Sequence, residues 1–270
     1  VRDTLRRILG ADAVWSAYAI ADLQPECAAD CTWVVGKGPS GDEGLILLYA
    51  GLQPPLLFAT GSAEAVADAL RKADAASALP GAIYLSILPE HEDAVSRWYD
   101  VAGSDDLRPM VRMALEGASA GQADGGAGVV RLHGADAPRL ERLFAQGGAF
   151  APDAFDAGQI ANGVFYAIEQ GEGAEGEAPE LLAAGGTHIV DWSAGVAAIG
   201  NFYTRPAARK QGLAALLLAA IVQDLRAGGV HLIVLNVDRR NAGARRLYER
   251  KGFVPHADFL EGTVRRVSTI

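Results

Sequence analysis

The chain has 270 residues, enough for about two ordinary domains, and half of them are hydrophobic against 21% charged, which supplies a core and excludes global disorder. A formal net charge of −9 at pH 7 argues against an extended nucleic-acid partner or an anionic membrane surface. The charge is uneven, with a net +7 over residues 201–270 and −16 over 1–200, so an anionic ligand is expected in the last quarter of the chain.

Near the start, Arg2, Arg6 and Arg7 are followed by no long apolar run, so the segment does not read as a secretory signal. The longest apolar run, 213–222, is about half of what a membrane span needs, and a cytoplasmic protein is expected. Cys27 and Cys31 have no second Cys or His cluster to complete a zinc site and read as two ordinary thiols. Apolar patterning predicts helices over 14–23, 63–76 and 90–98, and strands over 31–36, 44–50, 56–61, 82–88 and 108–115. Residues 116–128 lack large apolar side chains and read as an interdomain linker between domains 1–115 and 129–270. Beyond it, strands are predicted over 129–133, 164–169, 181–191, 196–204, 231–237 and 259–267, with helices over 135–146, 212–227 and 241–251. The acidic stretch 171–179 reads as an exposed hairpin loop; without the Asp-Gly spacing of a calcium loop, no metal is expected there. Both halves run strands, helix, strand, helix, closing strands, which predicts mixed α/β units with partly parallel sheets.

The most informative stretch is a strand ending in Phe202-Tyr203-Thr204, a turn with Arg205, Arg209 and Lys210, and a helix starting near Gly212. A helix start leaves backbone N–H groups unpaired and carries partial positive charge, which suits a phosphate. Gly212 has no Cβ to hold a ligand away. Arg209-Lys210-Gln211-Gly212-Leu213-Ala214 resembles the Arg/Gln-x-x-Gly-x-Gly/Ala signature of the GNAT acyltransferases. Leu235-Asn236-Val237, followed by Asn241, Ala244, Leu247-Tyr248-Glu249 and Lys251-Gly252-Phe253, resembles the later motif of that family at the expected separation. The resemblance covers roughly residues 129–267. Gly185-Gly186-Thr187-His188 and Ala198-Ile199-Gly200-Asn201 are similar to the branch related to glycine N-acyltransferases, in which an altered GNAT-like lobe precedes the catalytic one.

The resemblance implies tandem GNAT-like α/β lobes, the C-terminal one catalytic and the N-terminal one degenerate, with acetyl-CoA or another acyl-CoA as co-substrate and no metal. It sets the main chain of Phe202, Tyr203 and Thr204 alongside the pantetheine. Arg209 and the N–H groups of Lys210, Gln211, Gly212, Leu213, Ala214 and Ala215 would hold the pyrophosphate. In this family a bulge splays the fourth and fifth strands with the thioester in the gap, and a main-chain N–H near Thr204 would meet the developing oxyanion. Asn241 and Tyr248 are seven apart and share a helix face. Tyr248 reads as general acid for the leaving thiolate or as a packed aromatic, and Asn241 as a helix cap, a pantetheine contact, or both. Asn236 stands where many members have Glu, and an amide takes no proton. The base is open among His188, Glu261, Glu169 and an ordered water. Both cysteines lie outside the motif-bearing half, so direct attack by the amine in a ternary complex is expected over a Cys acyl-enzyme. In the first half, Leu57-Phe58-Ala59-Thr60-Gly61-Ser62 and the helix after it occupy a similar slot without the signature or its basic cluster. That half is expected to bind no CoA and to complete the acceptor pocket or the fold. The expected acceptor is a small-molecule amine rather than a protein. Acylation of a small amino acid and a non-catalytic acyl-CoA-binding module are the other readings.

Overall fold

The computed structural model describes residues 1–117, 128–148, 150–152, 155–171 and 178–267. The expected linker and acidic loop thus fall largely outside the described residues, at 118–127 and 172–177. In chain order the first elements are α1 (Arg2–Gly10), α2 (Ala17–Ala21), β1 (Cys31–Lys37), β2 (Glu43–Tyr49), β3 (Leu56–Thr60), α3 (Ala63–Ala75), β4 (Ala82–Ile87), α4 (Glu92–Val95) and β5 (Arg108–Glu116). They are followed by β6 (Val129–Arg131), α5 (Ala137–Phe144), α6 (Gly158–Asn162), β7 (Phe165–Gln170), β8 (Glu180–Asp191) and β9 (Val196–Thr204). The last are α7 (Leu213–Ala227), β10 (Leu232–Asp238), α8 (Ala242–Arg250) and β11 (Val254–Arg265). This is the mixed α/β class expected. Helices α1 and α6 were not among the expected elements.

Contacts divide the chain into two compact units. The first comprises Val1–Arg112, Val237–Arg240 and Pro255–Ile270. Its strands run in the order β1-β2-β3-β4-β11, then the first part of β5. β1, β2 and β3 pair antiparallel, β3 and β4 pair parallel, and β11 pairs antiparallel with β4. β2 reads as a near-continuous apolar run because both of its faces are covered. Alternate residues point opposite ways: Leu45 and Leu47 join Leu5, Ile8, Leu9 and Trp15 under α1, while Ile46 and Leu48 join Val66 and Leu70 of α3. The contiguous division at 116–128 expected from the sequence differs from this grouping at the end of the chain. Phe259 and Val264 of β11 are buried in the two cores of the first unit, which fixes that strand there.

The second unit comprises Met113–Asn236 and Asn241–Val254. Its order is the end of β5, then β10-β9-β8-β7-β6. The strands β6 to β9 pair antiparallel and β9 pairs parallel with β10. Helices α5 and α6 cover one face through Leu140, Leu143, Phe144 and Ile160, packed on Phe165, Leu181 and Ala184. Helix α7 covers the other, with Leu217 on Ile168 and Ala183. Leu217, Leu218, Ile221, Val222 and Leu225 are all buried along α7, each burial stabilising by roughly 1.5–3 kcal/mol. Both faces of β8 and β9 are thus covered, and the candidate site is built on those strands.

Candidate functional site

Strands β9 and β10 run in register from Leu232 opposite Val196 to Leu235 opposite Ile199, where the pairing stops; β9 continues to Thr204. On its other edge β9 keeps its partner β8, with two irregularities. Thr187 pairs with Ile199 and Ile189 with Ala198, which makes His188 an extra residue on β8. Gly186 pairs with Gly200 and Ala184 with Tyr203, so Asn201 and Phe202 together oppose Gly185. This second irregularity is a bulge in β9. Asn201 adopts a φ of +55° in it, a left-handed conformation that Asn enters more readily than most side chains. A bulge bends its strand and ends regular pairing. The main chain of residues 200–204 is thereby left without a ladder on the β10 side.

The side chains around this gap fit by close approach. The His188 imidazole lies over the main chain of Gly200, where an added Cβ would come 2.2 Å from Nε2. At Gly185 an added Cβ would come 2.6 Å from the Phe202 ring. Phe202 meets Tyr248 of α8 edge to face at 6.2 Å, and Tyr248 rests on Phe253 at 6.0 Å. Burial raises the Tyr248 phenol above its ordinary pKa of 10.0, so it is protonated at neutral pH. Tyr203 points to the opposite face, where its hydroxyl donates to the Gly147 carbonyl at 2.8 Å. Asn241 caps α8, its side chain accepting from the Ala244 N–H at 3.1 Å.

A short turn, Pro206–Ala208, links β9 to α7. Arg205 is turned toward β8, paired with Glu180 at 2.8 Å, while the Arg209 Nε braces the turn by donating to the Thr204 carbonyl at 3.2 Å. Arg209, Lys210, Gln211 and Gly212 are exposed, and Leu213, Ala214 and Ala215 are half-buried. Lys210 and Gly212 both take positive φ, +63° and +79°, a conformation in which successive N–H groups form an anion-binding concavity. The Ala215 and Leu216 N–H groups both reach the Gly212 carbonyl, so those of Leu213 and Ala214 precede the first helical bonds. An added Cβ at Gly212 would meet nothing within 4 Å. Two exposed cations, an open helix start and free space over the backbone fit a diphosphate.

The corresponding slot of the first unit is filled by its own side chains. Ser62 caps α3 by accepting from the Ala65 N–H at 3.2 Å, and its hydroxyl bonds the Asp42 carboxylate. A carboxylate at that position repels a phosphate.

The base candidates are placed differently. His188 lies on the bulged strand of the second unit. Glu169, also in the second unit, is paired with Arg139 at 2.6 Å. Glu261 belongs to the first unit, where it accepts from the Tyr84 hydroxyl at 2.8 Å and faces Arg108 at 3.4 Å. Cys27 and Cys31 are half-buried thiols of the first unit outside any disulfide, and burial pushes Cys31 up to about 12, leaving it a poor nucleophile. Sequence reasoning did not single out Gln159 of α6, whose Oε1 accepts from the buried Asn201 Nδ2 at 2.8 Å. No local pattern marks it, because the contact exists only once α6 lies on the bulge.

Residues 140–253 match the acetyltransferase (GNAT) family. Among solved structures, a GNAT-family acetyltransferase assigned as such from Novosphingobium aromaticivorans is 22% identical, with a TM-score of 0.58 over 83% of this chain and 89% of that one. A GCN5-related N-acetyltransferase from Kribbella flavida is 21% identical, with a TM-score of 0.55 over 94% and 96%. A GCN5-related N-acetyltransferase-like protein from Streptococcus suis is 15% identical, with a TM-score of 0.57 over 98% of both chains. No curated protein matches the chain. The segment that holds the turn at 205–212 is therefore similar to the acetyltransferase (GNAT) family, and the fold of nearly the whole chain is one that solved structures bearing that name share.

Proposed function

We propose that the second unit binds an acyl-CoA, acetyl-CoA first among them, and transfers the acyl group to the amine of a small acceptor by direct attack in a ternary complex. The observation that carries this reading is the end of β9–β10 pairing at Ile199 and Leu235, in a strand that leads directly into the open start of α7. The main chain of Phe202, Tyr203 and Thr204 offers an unladdered edge to a pantetheine arm, and the N–H groups at 210–214 offer a seat for its diphosphate, with Arg209 and Lys210 beside it; the Ala215 N–H, expected in this seat, is already bonded to the Gly212 carbonyl. Acyl-CoA, when bound, supplies an activated thioester. A β9 main-chain N–H donates to the carbonyl oxygen as charge builds there, a contact worth up to a few kcal/mol. Tyr248 donates to the departing sulfur. His188, aimed by its bulge and by the missing side chain of Gly200, is the base we favour over Glu169, which Arg139 engages. The order β3-α3-β4 in the first unit repeats β9-α7-β10 in the second, which supports a tandem arrangement with a first lobe that binds no CoA.

Titration calorimetry with acetyl-CoA, joined to thiol release against a panel of amines that includes glycine and other small amino acids, tests this reading. Binding with turnover is expected, and turnover on amino acids would support the glycine N-acyltransferase-like branch. Replacing Gly212 with Val, which disfavours positive φ, is expected to weaken CoA binding at least tenfold; retained affinity contradicts the cradle. The second reading, a binding module without chemistry, draws on Asn236 in place of a carboxylate. Tight binding with no thiol release on any amine would favour it.

A further inference from the structure

We infer that Gln159 is a positioning residue for acyl transfer: it holds the β9 bulge open through Asn201. The inference rests on the proposed function for its catalytic consequence and on geometry alone for its structural one. Asn201 is 6% exposed and has a φ of +55°, so an amide side chain is buried on a backbone conformation that costs energy for any residue but glycine. Such a conformation persists where the surroundings over-determine it. The surrounding here is α6. Gln159 Oε1 accepts from Asn201 Nδ2 at 2.8 Å. The helix is tied down at its other end, where the Val164 N–H donates to Thr187 Oγ1 at 2.9 Å, and where Gly163 comes so close to Thr187 that a Cβ would lie 2.1 Å from that oxygen. Thr187 is the neighbour of His188. One short helix and the residues just after it therefore grip both irregular strands, next to the extra residue of β8 and at the residue that bulges from β9.

If Asn201 lost its acceptor, its buried donor would be unsatisfied, and β9 would relieve both costs by relaxing toward regular pairing. The main-chain N–H groups of 200–204 that face away from β8 would then shift from the position where they meet the carbonyl oxygen. That interaction is made in the transition state more than in the ground state, so its loss appears in kcat.

The test compares Gln159→Leu, which removes the acceptor, Gln159→Glu, which keeps an oxygen acceptor, and Asn201→Gly, which holds a left-handed bulge with no amide to satisfy. Gln159→Leu is expected to lower kcat about tenfold or more, with the CoA dissociation constant and KM within about twofold. Gln159→Glu is expected to recover most of the rate at pH 8. Asn201→Gly in the Gln159→Leu background is expected to be no slower than Asn201→Gly alone, because the two side chains act as a unit. Hydrogen exchange read by mass spectrometry over residues 197–208 in the unliganded chain is expected to change in Gln159→Leu and return in the double variant. Unchanged kcat in Gln159→Leu, or additive losses in the pair, overturns the positioning role. If the unaltered chain binds no CoA, the proposed function fails; the exchange comparison still decides whether Gln159 holds the bulge, and unchanged exchange refutes it.

Discussion

Two side chains show how burial sets chemistry. Tyr248 is held protonated well above neutrality by its apolar surroundings, whereas a thiol leaves with an ordinary pKa near 8.5. The phenol is thus the weaker acid, and in the proposed transfer it would help mainly by a hydrogen bond that strengthens as charge gathers on sulfur. Tyr248→Phe is expected to lower kcat by about 10²-fold with little change in CoA affinity, and the parent pH–rate profile is expected to show no loss from this group up to pH 9. Steady-state rates and calorimetry on both proteins check this. Asp22 is the opposite case, a carboxyl pushed up to about 7 from 3.8 by burial. Between those values the folded chain holds a proton that the unfolded chain releases. Its stabilising share is therefore complete below about pH 4 and is lost as the pH rises to about 7. Asp22→Asn is expected to add about 2 kcal/mol at pH 8, or about 4–8 °C in melting temperature, and nothing at pH 4. Thermal melts at the two pH values measure the difference.

At the scale of elements, legibility followed locality. β2 declared itself as an apolar run, and α7 by its core-facing leucines after a basic turn. The proposed phosphate seat was picked out for the same reason, since all its parts lie within a few consecutive residues. Helix α1 went unseen because three arginines obscured Leu5, Ile8 and Leu9, which lie at helical spacing. Helix α6 has five residues and buries only Ile160, too little to form a period. A bulge was expected only from the family resemblance, and its placement at His188 and Asn201 could not be read from the residues, for a bulge belongs to the register between two strands and not to either sequence alone. Asn241 was open between cap and ligand contact, and the structure gives it the cap. Asn241→Ala is expected to cost about 1 kcal/mol, a fall of about 2–4 °C in melting temperature, while Asn241→Asp keeps the cap. Denaturant and thermal unfolding of the two variants test this. A loss of CoA affinity in Asn241→Asp as well would add a ligand contact to the cap.

For the molecule as a whole, the grouping of β11 with the first unit matters most. The strand pairs with β4 from Leu260 opposite Ile87 to Arg265 opposite Ala82 and sends Phe259 and Val264 into that unit's cores. Ser104 further donates to the Thr263 carbonyl at 2.8 Å, and Arg266 pairs with Asp74. Removing residues 254–267 is therefore expected to expose residues 1–112 to limited proteolysis, although the cut is more than 140 positions away in sequence. A first unit that stays protease-resistant after that truncation would contradict this. The same pairing bears on synthesis. Chains emerge at roughly 5–20 residues per second, so the first 112 residues leave the ribosome many seconds before their last strand exists. In that interval β4 presents a row of unpaired N–H and carbonyl groups, the kind of edge that recruits foreign strands. Folding of residues 1–112 must wait for residues 254–265, and growth conditions that slow translation are where this protein is most exposed to mispairing.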